Sequence, residues 1–241
     1  MKNNTVTQLN PPVSMLPNLN KSLESNAIFK AKAEFGSTLI SLTQPNSPQS
    51  ESLRSLRSQL LLRWFSLGNK SLAIVGANLG EGCSYVSANL AIAFAQLGMR
   101  TLLIDANLRD PNLHRLFNLK NDIGLSNILS GHTGQVVIDP LNSIDNLSIL
   151  GAGALSTHSQ QLLSRASFTE LLKQTTAQYD VVLVDTAPAM LSADAQAAAA
   201  ACSGVVLVSR LNQTKLADLK EMRNQLAITN AKIVGSVIND F

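Results

Sequence analysis

The 241-residue sequence predicts an α/β fold, a three-layer arrangement in which a central, mostly parallel sheet is flanked by helices. Three observations carry this. From residue 71 onward, strand-length apolar runs alternate with helix-length segments, the pattern of right-handed βαβ units. The run Val181–Asp185 is apolar without alternation, as a strand buried on both faces should be. A glycine-rich turn, Gly80-Glu81-Gly82, separates an apolar strand from a helix.

Residues 1–48 are rich in Asn, Ser, Pro and Lys, with Pro11, Pro12, Pro17, Pro45 and Pro48 as breakers, and read as a flexible N-terminal segment with a short helix at Ala27–Ala33. The folded domain is expected over 49–241. Leu53, Leu56, Leu60 and Trp64 recur at helical spacing, so 50–66 is an amphipathic helix whose apolar side faces the domain, with Glu51, Arg54 and Arg57 on another face. Strands are expected at Ser71–Val75, Thr101–Asp105, Leu147–Leu150, Val181–Asp185, Val205–Ser209 and Ile233–Ile238. Helices are expected at Cys83–Leu97, Leu113–Phe117, Leu125–Leu129, Ser159–Ala177, Ala193–Cys202 and Lys215–Ala227.

Composition narrows the function. Two cysteines, Cys83 and Cys202, and three scattered histidines give neither a disulfide framework nor a His/Cys metal spacing. The apolar stretch Ala197–Val208 is too short to cross a bilayer, and no secretory pattern opens the chain; a cytoplasmic location is the expectation. The net charge of +3 is unevenly placed. Residues 1–70 carry eight Lys/Arg against three Asp/Glu, and the remainder eleven against thirteen. A basic arm on a mildly acidic domain suits an acidic protein or lipid surface, or is a solvated tail. No stripe suited to nucleic acid is present.

The chemistry concentrates at the carboxyl ends of three predicted strands, where ligands bind in open parallel sheets. The turn has the form of a P-loop, G-x-x-x-x-G-K-[ST], with Ala77 at the first glycine, Gly82 at the second, Cys83 at the lysine and Ser84 at the hydroxyl. Gly80 and Gly82 permit positive φ, so that amides from Gly80 to Ser84 and the N-terminus of the next helix face an anion. Ser84 is the candidate hydroxyl for Mg²⁺, and Asp185 is a strand-end Walker-B carboxylate. Asp105 supplies a further acid. An ordinary strand-to-helix turn is the alternative for the loop alone.

Around Asp105 the sequence Leu102-Leu103-Ile104-Asp105-Ala106-Asn107-Leu108-Arg109 resembles the Walker A′ motif, apolar-apolar-apolar-Asp-x-Asp-x-Arg, of the bacterial tyrosine kinases that govern exopolysaccharide synthesis. Leu183–Pro188 is similar to their Walker B, and Glu51-x-x-Arg54-x-x-Arg57 to their Glu-x-x-Arg-x-x-Arg helix. The resemblance runs from about residue 49 to the end. It is closest to the chain-length-determinant protein tyrosine kinases of the EpsG type, through Gly80-Glu81-Gly82-x-Ser84-Tyr85, Leu53–Leu60 and Val234–Phe241. It implies ATP and Mg²⁺ as cofactors, with Gly80, Glu81, Gly82, Cys83, Ser84 and Tyr85 at the nucleotide and Ser84, Asp105 and Asp185 at the metal. Asp105, Asp185 and Arg109 would be catalytic. Glu51, Arg54 and Arg57 would form the subunit contact of a ring. The implied partner is the cytoplasmic tail of a membrane chain-length determinant, a polysaccharide co-polymerase, which would hold the protein at the inner face of the cell membrane.

The sequence departs from that pattern. Cys83 replaces the lysine, whose loss, if comparable to that of one oxyanion donor, costs roughly 3–4 kcal/mol, or 100–1,000-fold in rate. A helix N-terminus would lower a cysteine pKa toward a phosphate-repelling thiolate. Arg109, or Arg54 or Arg57 of a neighbouring subunit, would lend the missing charge. Asn107 replaces the second acid of Walker A′ and keeps only an acceptor for a metal-bound water; Ala187 replaces the first proline of Walker B. The tyrosine cluster of the family's tail is missing, which argues against tail autophosphorylation: Tyr85 is expected to pack on the sheet and Tyr179 to cap a strand. Three readings stand: an ATP-binding autokinase-like regulator of chain length and export with weakened activity, a nucleotide-independent pseudo-kinase scaffold, and a positioning ATPase of the Min/Par type.

Overall fold

The computed structural model describes residues 38–132, 138–140 and 144–240. In chain order the elements are α1 (Ile40–Thr43), α2 (Pro48–Arg63), β1 (Ser71–Gly76), α3 (Cys83–Gln96), β2 (Thr101–Asp105), α4 (Leu113–Leu116), α5 (Leu125–Leu129), β3 (Asp139–Pro140) and β4 (Leu147–Leu150). They continue with α6 (Ser159–Leu163), α7 (Ala166–Gln178), β5 (Val181–Asp185), α8 (Asp194–Cys202), β6 (Gly204–Arg210), α9 (Leu216–Ala227) and β7 (Lys232–Asn239). One sheet has the order β3-β4-β2-β5-β1-β6-β7. Six strands run parallel, and the two-residue β3, which the sequence pattern does not show, pairs antiparallel at one edge.

Strand alternation builds the layers. Leu72 and Ile74 of β1, Leu103 of β2, Val181 and Leu183 of β5, and Val206 and Val208 of β6 face one core with α2 and α3. Ala73 and Val75, Leu102 and Ile104, Val182 and Val184, and Val205 face the other, with α5 to α9. Helix α3 is buried without interruption from Val86 to Ala95 because α2 covers its outer side. Leu53, Leu60 and Trp64 are buried against it, the side that their spacing indicates. Trp64 donates from its indole nitrogen to the Ser71 carbonyl at 2.9 Å. Its ring lies where a Cβ on Gly204 would stand, so only glycine admits the ring there.

Two boundaries differ from expectation. The packed chain begins before residue 49: Leu39 is fully buried and α1 lies on α3. Asn89 of α3 explains this. Its Oδ1 accepts from Ser41 N at 3.0 Å, its Nδ2 donates to Thr38 O at 3.1 Å, and its carbonyl accepts from Ser41 Oγ at 3.1 Å. Ser47 caps α2 with Pro48 in the first turn, a favoured start. The proposed helix at Ala27–Ala33 lies outside the described residues. The span Ser159–Ala177 divides into α6 and α7, because Arg165 adopts extended backbone (φ −74°, ψ 150°).

Candidate functional site

Parity puts two acids on one side of the sheet. Asp105 ends β2 on the face of Leu103, and Asp185 ends β5 on the face of Leu183, both toward α3. The strands are adjacent and in register, with Asp105 opposite Asp185. Both side chains are buried. Ser84 and Ser87, three residues apart on one face of α3, donate to Asp185 Oδ2 at 2.6 Å and Oδ1 at 2.9 Å. Asp105 accepts from the N–H groups of Asn107 at 3.2 Å and Leu113 at 3.1 Å. Burial raises the Asp185 carboxyl to about 6, although the serine hydroxyls pull it down. Burial, and then the neighbouring Asp185, raise Asp105 well above the usual carboxylate range.

The loop between β1 and α3 has the backbone that its glycines permit: φ is +77° at Gly80 and +88° at Gly82. The first-turn amides of α3 lack intrahelical acceptors, as at any helix start, and Gly82 caps the helix with no side-chain bond. The Walker-B extension braces the loop, since Ala189 N donates to Gly76 O at 2.9 Å and Met190 N to Ala77 O at 3.0 Å. Gly76 has an evident reason to be glycine. A Cβ there would stand 2.5 Å from Cys83 Sγ and 2.8 Å from Glu81 Oε2.

Position 83 corrects the sequence reading. Burial, then Asp185, then Glu81 push the Cys83 thiol well above its ordinary range. The residue is a neutral thiol packed against Gly76, not a thiolate; the two nearby acids and desolvation outweigh the helix terminus. Glu81 is buried rather than displayed on the loop. Asn107 is also committed locally: its Nδ2 donates to Asp110 O at 2.6 Å, and its Oδ1 accepts from Asp110 N at 3.2 Å. It closes a turn.

Arg109 donates from Nε to Asp194 Oδ2 at 3.0 Å, and Ser159 Oγ donates to the same oxygen at 2.6 Å. Asp194 begins α8 and is fully buried. Neither Asp194 nor Ser159 stands out in the sequence, although an acid in the first turn of a helix is a usable signal. Tyr85 is half-buried on α3 and packs with Cys83 against the α2–α3 core; Tyr179 closes α7 and bonds Ser148. The three charges on α2 make different contacts within the chain. Glu51 and Arg54 pair at 2.8 Å on the exterior, while Arg57 turns inward and donates from Nη1 to Ala93 O at 3.0 Å.

Residues 69–240 match the ParA family model described as NUBPL iron-transfer P-loop NTPase. Tyrosine-protein kinase YwqD of Bacillus subtilis is 34% identical over 201 residues, which cover 83% of this chain and 85% of that protein. The chain belongs to the bacterial tyrosine kinases, on the ParA-type P-loop fold. The putative tyrosine-protein kinase EpsB of Ralstonia solanacearum is 34% identical over 204 residues, and this chain spans only 27% of its length. Among solved structures, the chimerical protein CapA2B2 superposes with a TM-score of 0.78 at 32% identity, covering 85% of this chain and 90% of that one.

The donor set of this kinase-family site fits Mg²⁺. Two carboxylates and a hydroxyl are hard oxygen ligands, and Mg²⁺ takes one or two carboxylates and completes its shell with phosphate and water. Among the described residues no group of three or more His, Cys, Asp and Glu is placed to hold a metal ion. Among the same residues no helix is long and apolar enough to cross a membrane.

Proposed function

We propose that the chain binds ATP with Mg²⁺ and acts as a weakened tyrosine-autokinase-like protein in the control of exopolysaccharide chain length and export. The observation that carries this reading is the register of Asp105 with Asp185, together with the Ser84 hydroxyl on Asp185, behind a loop whose glycines hold positive φ. Gly80 to Ser84 would bind phosphate through backbone amides, with the α3 N-terminus adding its partial charge. Ser84, Asp105 and Asp185 would hold Mg²⁺, which when bound offsets charge on the phosphates. Arg109, held by Asp194, is the cation nearest in sequence to the acids and would lend charge to the transferred group. Tyr85 and Tyr179 are both packed, so an acceptor tyrosine on another chain is the better substrate.

The likeness to the CapA2B2 chimera and the relatives' kinase names support a partner of the membrane chain-length-determinant kind. Its cytoplasmic tail would hold a ring of this chain at the inner face of the membrane, with Glu51 and Arg54 at the subunit contact. Calorimetry with Mg·ATP at millimolar concentration, with and without the partner tail, tests the reading, followed by transfer of labelled γ-phosphate to tyrosine. Binding accompanied by slow tyrosine labelling is expected. Absence of heat in both titrations would overturn it. In that case the nucleotide-independent scaffold, which the neutral Cys83 and the self-satisfied Asn107 favour, would take its place.

A further inference from the structure

Cys83 leaves the phosphate loop without the lysine of its motif, yet the structure sets a cation at the rim of that loop. Arg210 ends β6, and its Nη1 donates to the Gly80 carbonyl at 3.4 Å. Gly80 is one of the two loop glycines with positive φ. A bond of that length is weak. It sets the guanidinium beside the loop without neutralising its charge.

The strand order gives this position its meaning. β6 lies beside β1, with Val208 opposite Gly76. Arg210 stands two residues further on, past the end of β1, on the face that Val206 and Val208 share with α3. Asp105 and Asp185 end β2 and β5 on that same face. In the sheet order β2-β5-β1-β6, the loop after β1 therefore has two carboxyl groups on one flank and a guanidinium on the other. A phosphate chain lying across the loop amides would meet the acids and their metal at one end and Arg210 at the other.

The backbone that carries Arg210 is tied to the loop. Its N–H donates to Thr214 Oγ1 at 2.8 Å, and that hydroxyl donates to Glu81 Oε1 at 2.7 Å. Glu81 Oε2 accepts from Ala77 N at 2.6 Å. Asn239, opposite Arg210 in β7, donates from Nδ2 to the Glu81 carbonyl at 2.7 Å. Glu81 thus joins the ends of β6 and β7 to the loop, which fixes where the Arg210 side chain starts. A planar guanidinium is more weakly hydrated than an ammonium and matches phosphate geometry.

We propose that Arg210 is a phosphate ligand for the nucleotide, supplying from β6 of the same chain the positive charge that the loop lacks at position 83. The proposal rests on the reading that the loop binds nucleotide. It gives Arg210 a place separate from that of Arg109, which follows β2 on the side of the acids.

Isothermal titration of the full chain with ADP in excess Mg²⁺ tests this. Arg210→Gln keeps a donor for the Gly80 carbonyl but removes the charge, and should weaken ADP roughly 10–100-fold, the range for losing a charge-assisted contact. Arg210→Lys keeps the charge and should recover the greater part of that loss. Cys83→Lys should tighten binding and shrink the effect of Arg210→Gln, because two charges then serve the same phosphates. Circular dichroism and melting without nucleotide check that each variant folds. An Arg210→Gln affinity within about threefold of wild type would overturn the proposal and leave the nucleotide reading intact. Equal losses in the Gln and Lys variants, unchanged by Cys83→Lys, would make Arg210 a brace for the loop and overturn it as well. Absence of binding by the wild type would overturn the proposal and the nucleotide reading together.

Discussion

Burial of the Asp185 carboxyl gives the protein a pH-dependent weakness. Asp185 holds its proton more tightly folded, at about 6, than the ordinary value of 3.8. A raised folded-state value stabilises fully below the unfolded value and loses that contribution as pH rises through the folded one. The shift corresponds to about 3 kcal/mol, lost between about pH 4 and pH 7 in metal-free buffer. Asp185→Asn removes the titration, so urea midpoints of wild type and variant should converge in acid and separate toward neutral pH, with the variant relatively more stable. A stability difference that does not change with pH would contradict this. The acids, Ser84 and the loop glycines were legible because each stands at a fixed offset from a strand end. Ser87 had only its helical spacing from Ser84 as a signal. The state of Cys83 was not legible at all, because it depends on its burial, on Asp185 from a distant strand and on which way Glu81 turns.

At the scale of elements, α3 joins the site to the N-terminal side of the domain. Ser84 and Ser87 face Asp185 from its first turn, and Asn89, one turn on, clasps the backbone at Thr38 and Ser41. Asn89→Ala leaves the Ser41 N–H and the Thr38 carbonyl without their partner, which should cost about 1–3 kcal/mol. It should also expose residues 38–47 to limited proteolysis before the rest of the domain is cut. Equal proteolysis rates in wild type and variant would show that the clasp does not hold this segment. The apolar spacing of α2 correctly named the side that docks. Its start was readable in Ser47-Pro48, a capping residue followed by a first-turn proline, yet the surrounding Pro, Asn and Ser composition pointed to a tail. The break between α6 and α7 has neither Gly nor Pro to announce it.

The whole molecule brings together what the chain separates. β5 is inserted between β1 and β2, and this strand order makes Asp185 neighbour both Asp105 and the loop. The same packing divides the α2 charges into two kinds. Arg54 pairs with Glu51 and donates to the Pro45 carbonyl at 2.8 Å on the outer face of α2, contacts that contribute little to stability, whereas Arg57 satisfies a carbonyl of the buried helix α3. Arg54→Ala should therefore leave the melting temperature nearly unchanged and lower the mass of the assembly by light scattering. Arg57→Ala should destabilise by about 1–3 kcal/mol whether or not subunits associate. An unchanged mass for Arg54→Ala would remove this helix from the subunit contact.

Periodicity and strand-end motifs by themselves determined the layered α/β architecture, nearly every element, and the residues gathered around the phosphate loop. These are properties of neighbours within a few positions, where steric and hydrogen-bonding rules act directly on local sequence. Only the tertiary structure decided that Cys83 is a neutral thiol, that Glu81 points inward, that Arg109 is bound to Asp194 and that Arg57 bonds the Ala93 carbonyl of α3. Desolvation and charge–charge coupling act through space, and the groups responsible lie on other strands and helices.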